Sequence, residues 1–141
     1  MNVLVDTSVW SLSLRRKAEN LSSGERQTTS ELAELINEGR ARIIGLIRQE
    51  LLSGVKTAEQ YERLRMALRV FPDESVETAD YEAAAKANNQ CRTHGVAPSP
   101  VDMLICAVAS AQDFSIFTTD PDFQSYARIL PIKLHTIRKP S

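Results

Sequence analysis

Two cysteines, two histidines and five glycines are all that 141 residues contain of three residue types that often carry chemistry. Cys91 and Cys106 have no metal-ligand spacing and read as buried thiols in a reducing compartment, not as a disulfide. His94 and His135 stand isolated, as structural or surface residues, so neither a zinc site nor a Ser-His-Asp arrangement is in view. No G-x-G-x-x-G and no P-loop occurs, which excludes phosphate cradling by glycine. No apolar run approaches the roughly 20 residues that cross a bilayer. The N-terminus lacks a basic-then-apolar signal pattern, so a cytoplasmic location is expected. Nor is there a basic excess. Seventeen Lys and Arg face eighteen Asp and Glu, with a pI near 6.1. That balance argues against nonspecific, charge-driven binding of nucleic acid. Basic residues do cluster locally, at Arg15-Arg16-Lys17, at Arg40, Arg42 and Arg48, and at Arg63, Arg65 and Arg69. The plain reading of each cluster is a solvated helix face.

What is present is ordinary in bulk: 43% hydrophobic and 25% charged residues, enough for one core. A single domain over 1–141 is expected, with about 138–141 as a frayed tail. Apolar runs and breakers alternate. The spacing predicts strands at Asn2–Asp6, Arg42–Gly45, Ser115–Thr118 and Ile132–Leu134, the last near an edge. Short extended pieces are expected at Val70-Phe71 and Ser75-Val76. Helices are predicted over Val9–Arg16, Glu25–Glu38, Leu46–Leu52, from a Thr57 cap to Arg69, over Thr78–His94, and from Ser99 to Gln112. Gly39 sits where a C-cap glycine belongs. Alternating strands and helices of this length mean an α/β domain with a mainly parallel sheet.

Four carboxylates fall on one edge of such a sheet, where strand C-termini and helix N-termini open a crevice. Asp6 closes the first strand. Glu50 lies one turn into the helix after the second. Asp102 opens a helix that is apolar almost all round, with Ser99-x-x-Asp102 in capping-box spacing and Pro100 at the first position. Asp120 follows the strand predicted at Ser115–Thr118, where Pro121 suits a type I turn that could include Asp122. Each has a plain reading as a cap, a turn residue or a solvated carboxylate. Together they would repel one another unless cations neutralised them. Oxygen-only ligands point to Mg²⁺ or Mn²⁺.

Leu4-Val5-Asp6-Thr7-Ser8-Val9-Trp10, Gln49-Glu50-Leu51-Leu52-Ser53-Gly54, Ser99-Pro100-Val101-Asp102-Met103-Leu104-Ile105-Cys106-Ala107 and Thr118-Thr119-Asp120-Pro121-Asp122-Phe123 resemble the four successive motifs of PIN domains, above all those of VapC-type toxins of bacterial toxin–antitoxin pairs. The resemblance spans nearly the whole chain in order. It implies a three-layer α/β/α sandwich around a mainly parallel sheet of four to five strands. It also implies a Mg²⁺/Mn²⁺-dependent endoribonuclease, a cognate VapB-like antitoxin that blocks the site, and a homodimer. By that match Asp6, Glu50, Asp102 and Asp120 take the catalytic, metal-binding positions, and Asp122 falls on a further acidic one. Thr7 or Ser8 corresponds to a supporting hydroxyl. Pro121, between the last two acids, departs from the pattern and would shift Asp122. Arg15, Arg16 or Arg48 would hold RNA phosphates flanking the cut, and antitoxin side chains would pack near Trp10 and Leu14. Two other functions compete. A phosphotransfer domain with a nucleophilic Asp6 would want an acid where Ser8 stands. A PIN-like module that binds RNA or protein without cutting would have little reason to keep all four acids.

Overall fold

The computed structural model describes residues 1–138. Strands β1 (Val3–Val5), β2 (Ala41–Ile44), β3 (Asp73–Glu74) and β4 (Ser115–Phe117) form one sheet in the order β3-β2-β1-β4. All pairings are parallel. β1 and β4 are buried along their whole length, as strands must be when helices cover both faces of a parallel sheet. Helices α1 (Thr7–Leu14) and α2 (Ser23–Asn37) link β1 to β2. Helices α3 (Gly45–Leu52) and α4 (Ala58–Leu68) link β2 to β3, and α5 (Thr78–Thr93) and α6 (Pro100–Gln112) link β3 to β4. The first two connections step outward from β1 and the third returns across it. Right-handed crossovers therefore put α1–α4 on one face and α5–α6 on the other. α7 (Asp122–Ala127) follows β4. One apolar core runs through the layers, from Val5, Ile43 and Ile116 in the sheet to Trp10, Leu35, Met103 and Phe123 on the helices. Among the described residues no helix is long and apolar enough to cross a membrane.

Several boundaries differ from the sequence expectation, each for a local reason. α1 starts at Thr7 and not at Val9, because extended Asp6 is its N-cap and its carbonyl accepts from Val9 N and Trp10 N. α2 starts at Ser23, two residues before the expected Glu25. Ser22 and Glu25 form a reciprocal capping box that overrides Gly24. The third strand is Asp73–Glu74, between the two pieces expected to be extended. Arg48 donates to the carbonyls of Leu68 and Phe71 and to Asp73 Oδ1, which pins the turn before Pro72. Arg42 then pairs with Glu74 across β2 and β3. The expected last strand reduces to a single bridge between Ile116 and Leu134. α7 had no counterpart in the sequence reading. Of the expected frayed tail, Arg138 is tied to Glu31 and Glu38, and residues 139–141 lie outside the described range.

Glycine is required by conformation at two helix ends that close in the same way. Gly39 (φ +70°) and Gly95 (φ +75°) end α2 and α5 in the left-handed region. In each case the following residue's N–H returns to the last helical turn, Arg40 to Leu35 O and Val96 to Cys91 O. This is the Schellman closure that glycine makes easy. Cys91 and Cys106 are both free and buried.

Candidate metal centre

β1 and β4 are neighbours whose onward connections leave in opposite senses, so the crevice beyond their C-terminal ends is the switch point of the sheet. Asp6 leaves β1 there, held against β4 by its own N–H on Phe117 O at 2.9 Å. The residue as a whole is buried, with 7% exposure. Oδ2 accepts from Ser8 Oγ and from Thr118 Oγ1, each at 2.8 Å. The two hydroxyls also accept from the loop beyond β4: Thr119 N donates to Ser8 Oγ at 3.1 Å and Asp120 N to Thr118 Oγ1 at 3.0 Å. A small lattice of hydroxyls thus fixes Asp6 relative to Asp120.

Asp102 reaches the same crevice from the first turn of α6. Ser99 Oγ accepts from Asp102 N at 3.4 Å, but the reciprocal half of the capping box is not made. The Asp102 side chain instead accepts from the Tyr126 hydroxyl at 3.0 Å. Oxygens of Asp102, Asp120 and Asp122 all lie within 4.8 Å of one another. Burial pushes the Asp102 carboxyl up to about 6, against the pull of the Tyr126 hydrogen bond, and the charges of Asp6, Asp120 and Asp122 push the same way. Tyr126 is pushed up by its own burial and by Asp102. Burial, then the nearby Asp102 charge, raise the Cys106 thiol, which is therefore inert.

Asp120 forms the turn the sequence suggested. Its carbonyl accepts from Phe123 N at 3.3 Å, and its Oδ1 accepts from Asp122 N at 2.9 Å. Pro121, with φ −64°, leads directly into α7, whose first residue is Asp122. Glu50 stands apart from this trio. It accepts from Thr7 Oγ1 at 2.7 Å, linking α3 to the start of α1. The structure thus brings Asp102, Asp120 and Asp122 together, sets Asp6 near enough for its charge to act on Asp102, and holds Glu50 beside Thr7.

Two groups at the site escaped the sequence reading, Thr118 and Tyr126. Thr118 had a signal, as a hydroxyl at the end of a buried strand; Tyr126 had none, since the helix that sets it one turn after Asp122 was not expected. The donors here are oxygens only, crowded, and include one carboxyl that resists ionisation. A hard divalent cation would relieve that repulsion and suits that donor set.

A second feature lies at the far end of α1. Arg15, Arg16, Lys17, Lys56 and Arg63 surround a groove of about 580 Å³ with Leu14 and Leu64 in its wall. Arg48 does not belong to it, being engaged by the α4–β3 turn. Trp10 is buried, with its indole N–H on Val5 O and its ring edge-on to Phe71 at 4.9 Å. It therefore cannot receive a partner, whereas Leu14 can.

Comparison with solved structures returns the same architecture. FitAcB from Neisseria gonorrhoeae superposes with a TM-score of 0.74 at 19% identity, covering 94% of this chain and 96% of that one. VapBC2 from Rickettsia felis, bound to a DNA fragment from its promoter, gives 0.72 at 16% identity over 96% and 98%. VapBC-1 from nontypeable Haemophilus influenzae gives 0.69 at 14% over 96% and 97%. At these identities the likeness is one of fold. No curated protein matches the chain. The family model for the PIN domain matches residues 3–129, nearly all of the sheet and its helices with the four acidic segments in order, and the chain belongs to the PIN domain family.

Proposed function

We propose that this chain is a Mg²⁺- or Mn²⁺-dependent endoribonuclease and the toxin of a VapBC-type pair. The convergence of Asp6, Asp102, Asp120 and Asp122 on the switch-point crevice is the observation that carries this reading. Asp102, Asp120 and Asp122 would hold the ion, with Asp6 beside them and Glu50 completing the acidic wall. Once bound, the ion would supply the positive charge that activates water for attack on a phosphodiester and stabilises the leaving oxygen. The chain's part is placement. Ser8 and Thr118 fix the Asp6 carboxylate from one side, and Thr7 fixes Glu50. The cations of the α1–α4 groove, Arg15 and Arg63 among them, suit the phosphates of an RNA substrate.

Partners follow from the same surfaces and from the fold's company. One solved neighbour, from Klebsiella pneumoniae, is described as a toxin–antitoxin complex, which supports an antitoxin partner for this chain. A basic residue of such a partner could sit among the carboxylates in place of the ion, while its apolar residues meet Leu14. A homodimer is supported by an apolar groove of about 530 Å³ between α5 and α6, lined by Leu46, Tyr81, Ala84, Val101 and Leu104. Tyr81 is 58% exposed there.

The test is substitution at the ion-binding acids. Purified Asp6→Asn and Asp102→Asn proteins should remain folded and lose metal-dependent cleavage of RNA. Unaltered cleavage by either variant would overturn the assignment. Growth arrest on overexpression, relieved by co-expressing the product of an adjacent short gene, would support the toxin half of the reading.

A further inference from the structure

We infer that Tyr126 is a positioning residue for the metal site, setting the Asp102 carboxylate in the orientation that faces Asp120 and Asp122. This rests on the reading of those carboxylates as ion-binding. The Tyr126 hydroxyl donates to Asp102 Oδ2 at 3.0 Å. Among the described residues it is the one side chain that bonds the Asp102 carboxylate, since Ser99 contacts only the backbone N–H. The tyrosine ring has no freedom to swing away. It is 1% exposed and packs edge-on against Phe123 at 5.2 Å and 76°. α7 carries Asp122 at its first residue and Tyr126 four residues later, so both project from one face of a short helix. One element therefore supplies an acid of the cluster and the anchor for the acid opposite it. A carboxylate whose second oxygen is held by a donor is limited to one approach geometry, as outer partners of metal ligands commonly arrange.

The bland alternative is that the hydroxyl merely satisfies itself on the nearest acceptor, with the ring as core packing. Metal affinity separates the two. Mn²⁺ binding to the full chain would be followed through the spin-resonance signal of the free ion, with metal-free melting measured in parallel. Tyr126→Phe keeps the ring and should melt close to the parent, yet bind Mn²⁺ about 10-fold more weakly. Its cleavage should recover as Mn²⁺ is raised, with kcat restored at saturation. Tyr126→Met loses ring and hydroxyl alike, and should lower the melting temperature as well as the affinity. Parent-like Mn²⁺ affinity in Tyr126→Phe, with binding lost in Asp102→Asn, would overturn the positioning role and leave the metal site standing. Absence of Mn²⁺ binding in the parent protein would overturn the proposed function and this inference with it.

Discussion

Asp102 concentrates the electrostatic tension of the site. Its carboxyl is raised from an ordinary 3.8 to about 6 by burial and by neighbouring acids. A raised acid binds a proton more readily folded than unfolded, so between about 4 and 6 the native state holds more protons and stability falls as pH rises. In EDTA the protein should therefore be more stable at pH 4 than at pH 7 as far as this group is concerned. Asp102→Asn should remove that slope and raise stability at pH 7 by on the order of 1–2 kcal/mol, the full shift being discounted for partial exposure. Urea unfolding of both proteins across that range measures it, and parallel pH profiles would contradict it. Asp102 was legible in the sequence because an apolar helix cannot bury an unpaired charge without a reason. Tyr126 was not, because a tyrosine in a short amphipathic stretch reads as core until its hydroxyl has a visible acceptor. Thr118 was quoted within its motif and overlooked for a related reason: the partner it bonds, Asp6, lies at the other end of the chain.

At the scale of elements, the long periodic helices and the buried strands followed from apolar spacing, and Gly39 and Gly95 marked two helix ends. The failures fall where side chains override composition. The Ser22–Glu25 box recruits Gly24 into α2, and the Arg48 guanidinium decides where β3 begins. α7 is only six residues long, too short for a periodicity to register. α6 ends differently from α2 and α5. Asp113 takes the left-handed position at φ 57° while Phe114 N returns to Ala109 O. A residue with a Cβ is strained there, and the exposed ion pair of Asp113 with Lys133 offsets little of that cost. Asp113→Gly should therefore raise stability by about 0.5–1 kcal/mol. Thermal unfolding checks this, and a lower melting temperature would show that the ion pair matters more than the backbone.

Across the whole molecule, the segment that follows α7 returns to pack on α2. Glu31, buried on α2, accepts from His135 Nε2 at 2.6 Å and from Arg138 Nε at 3.1 Å. Burial alone would raise the Glu31 carboxyl, but the hydrogen bonds from Arg138 and His135 outweigh it and hold it below 4.5. A lowered acid stabilises above its unfolded pKa and ceases to as pH falls through its folded one. Glu31→Gln should thus cost about 1–3 kcal/mol at pH 7, and the difference from the parent should shrink at pH 3. Equal urea midpoints at pH 7 would mean that the C-terminal segment is held by its apolar contacts alone.

The same global arrangement gathers acids from the start of α1, from the start of α6 and from the β4–α7 turn at one crevice, with Glu50 of α3 on Thr7. The order of motifs along the chain made that convergence readable, while the distances within it depended on folded side chains. What those acids do is decided most directly by the chemistry of the cut ends. Purified protein incubated with RNA and Mg²⁺ or Mn²⁺ should leave 5′-phosphate and 3′-hydroxyl termini, because under the proposed function water, and not the ribose 2′-hydroxyl, would be the nucleophile, and excess EDTA should stop the reaction. Cyclic 2′,3′-phosphate ends, or undiminished cleavage in EDTA, would contradict a metal-dependent nuclease built on Asp6, Asp102, Asp120 and Asp122.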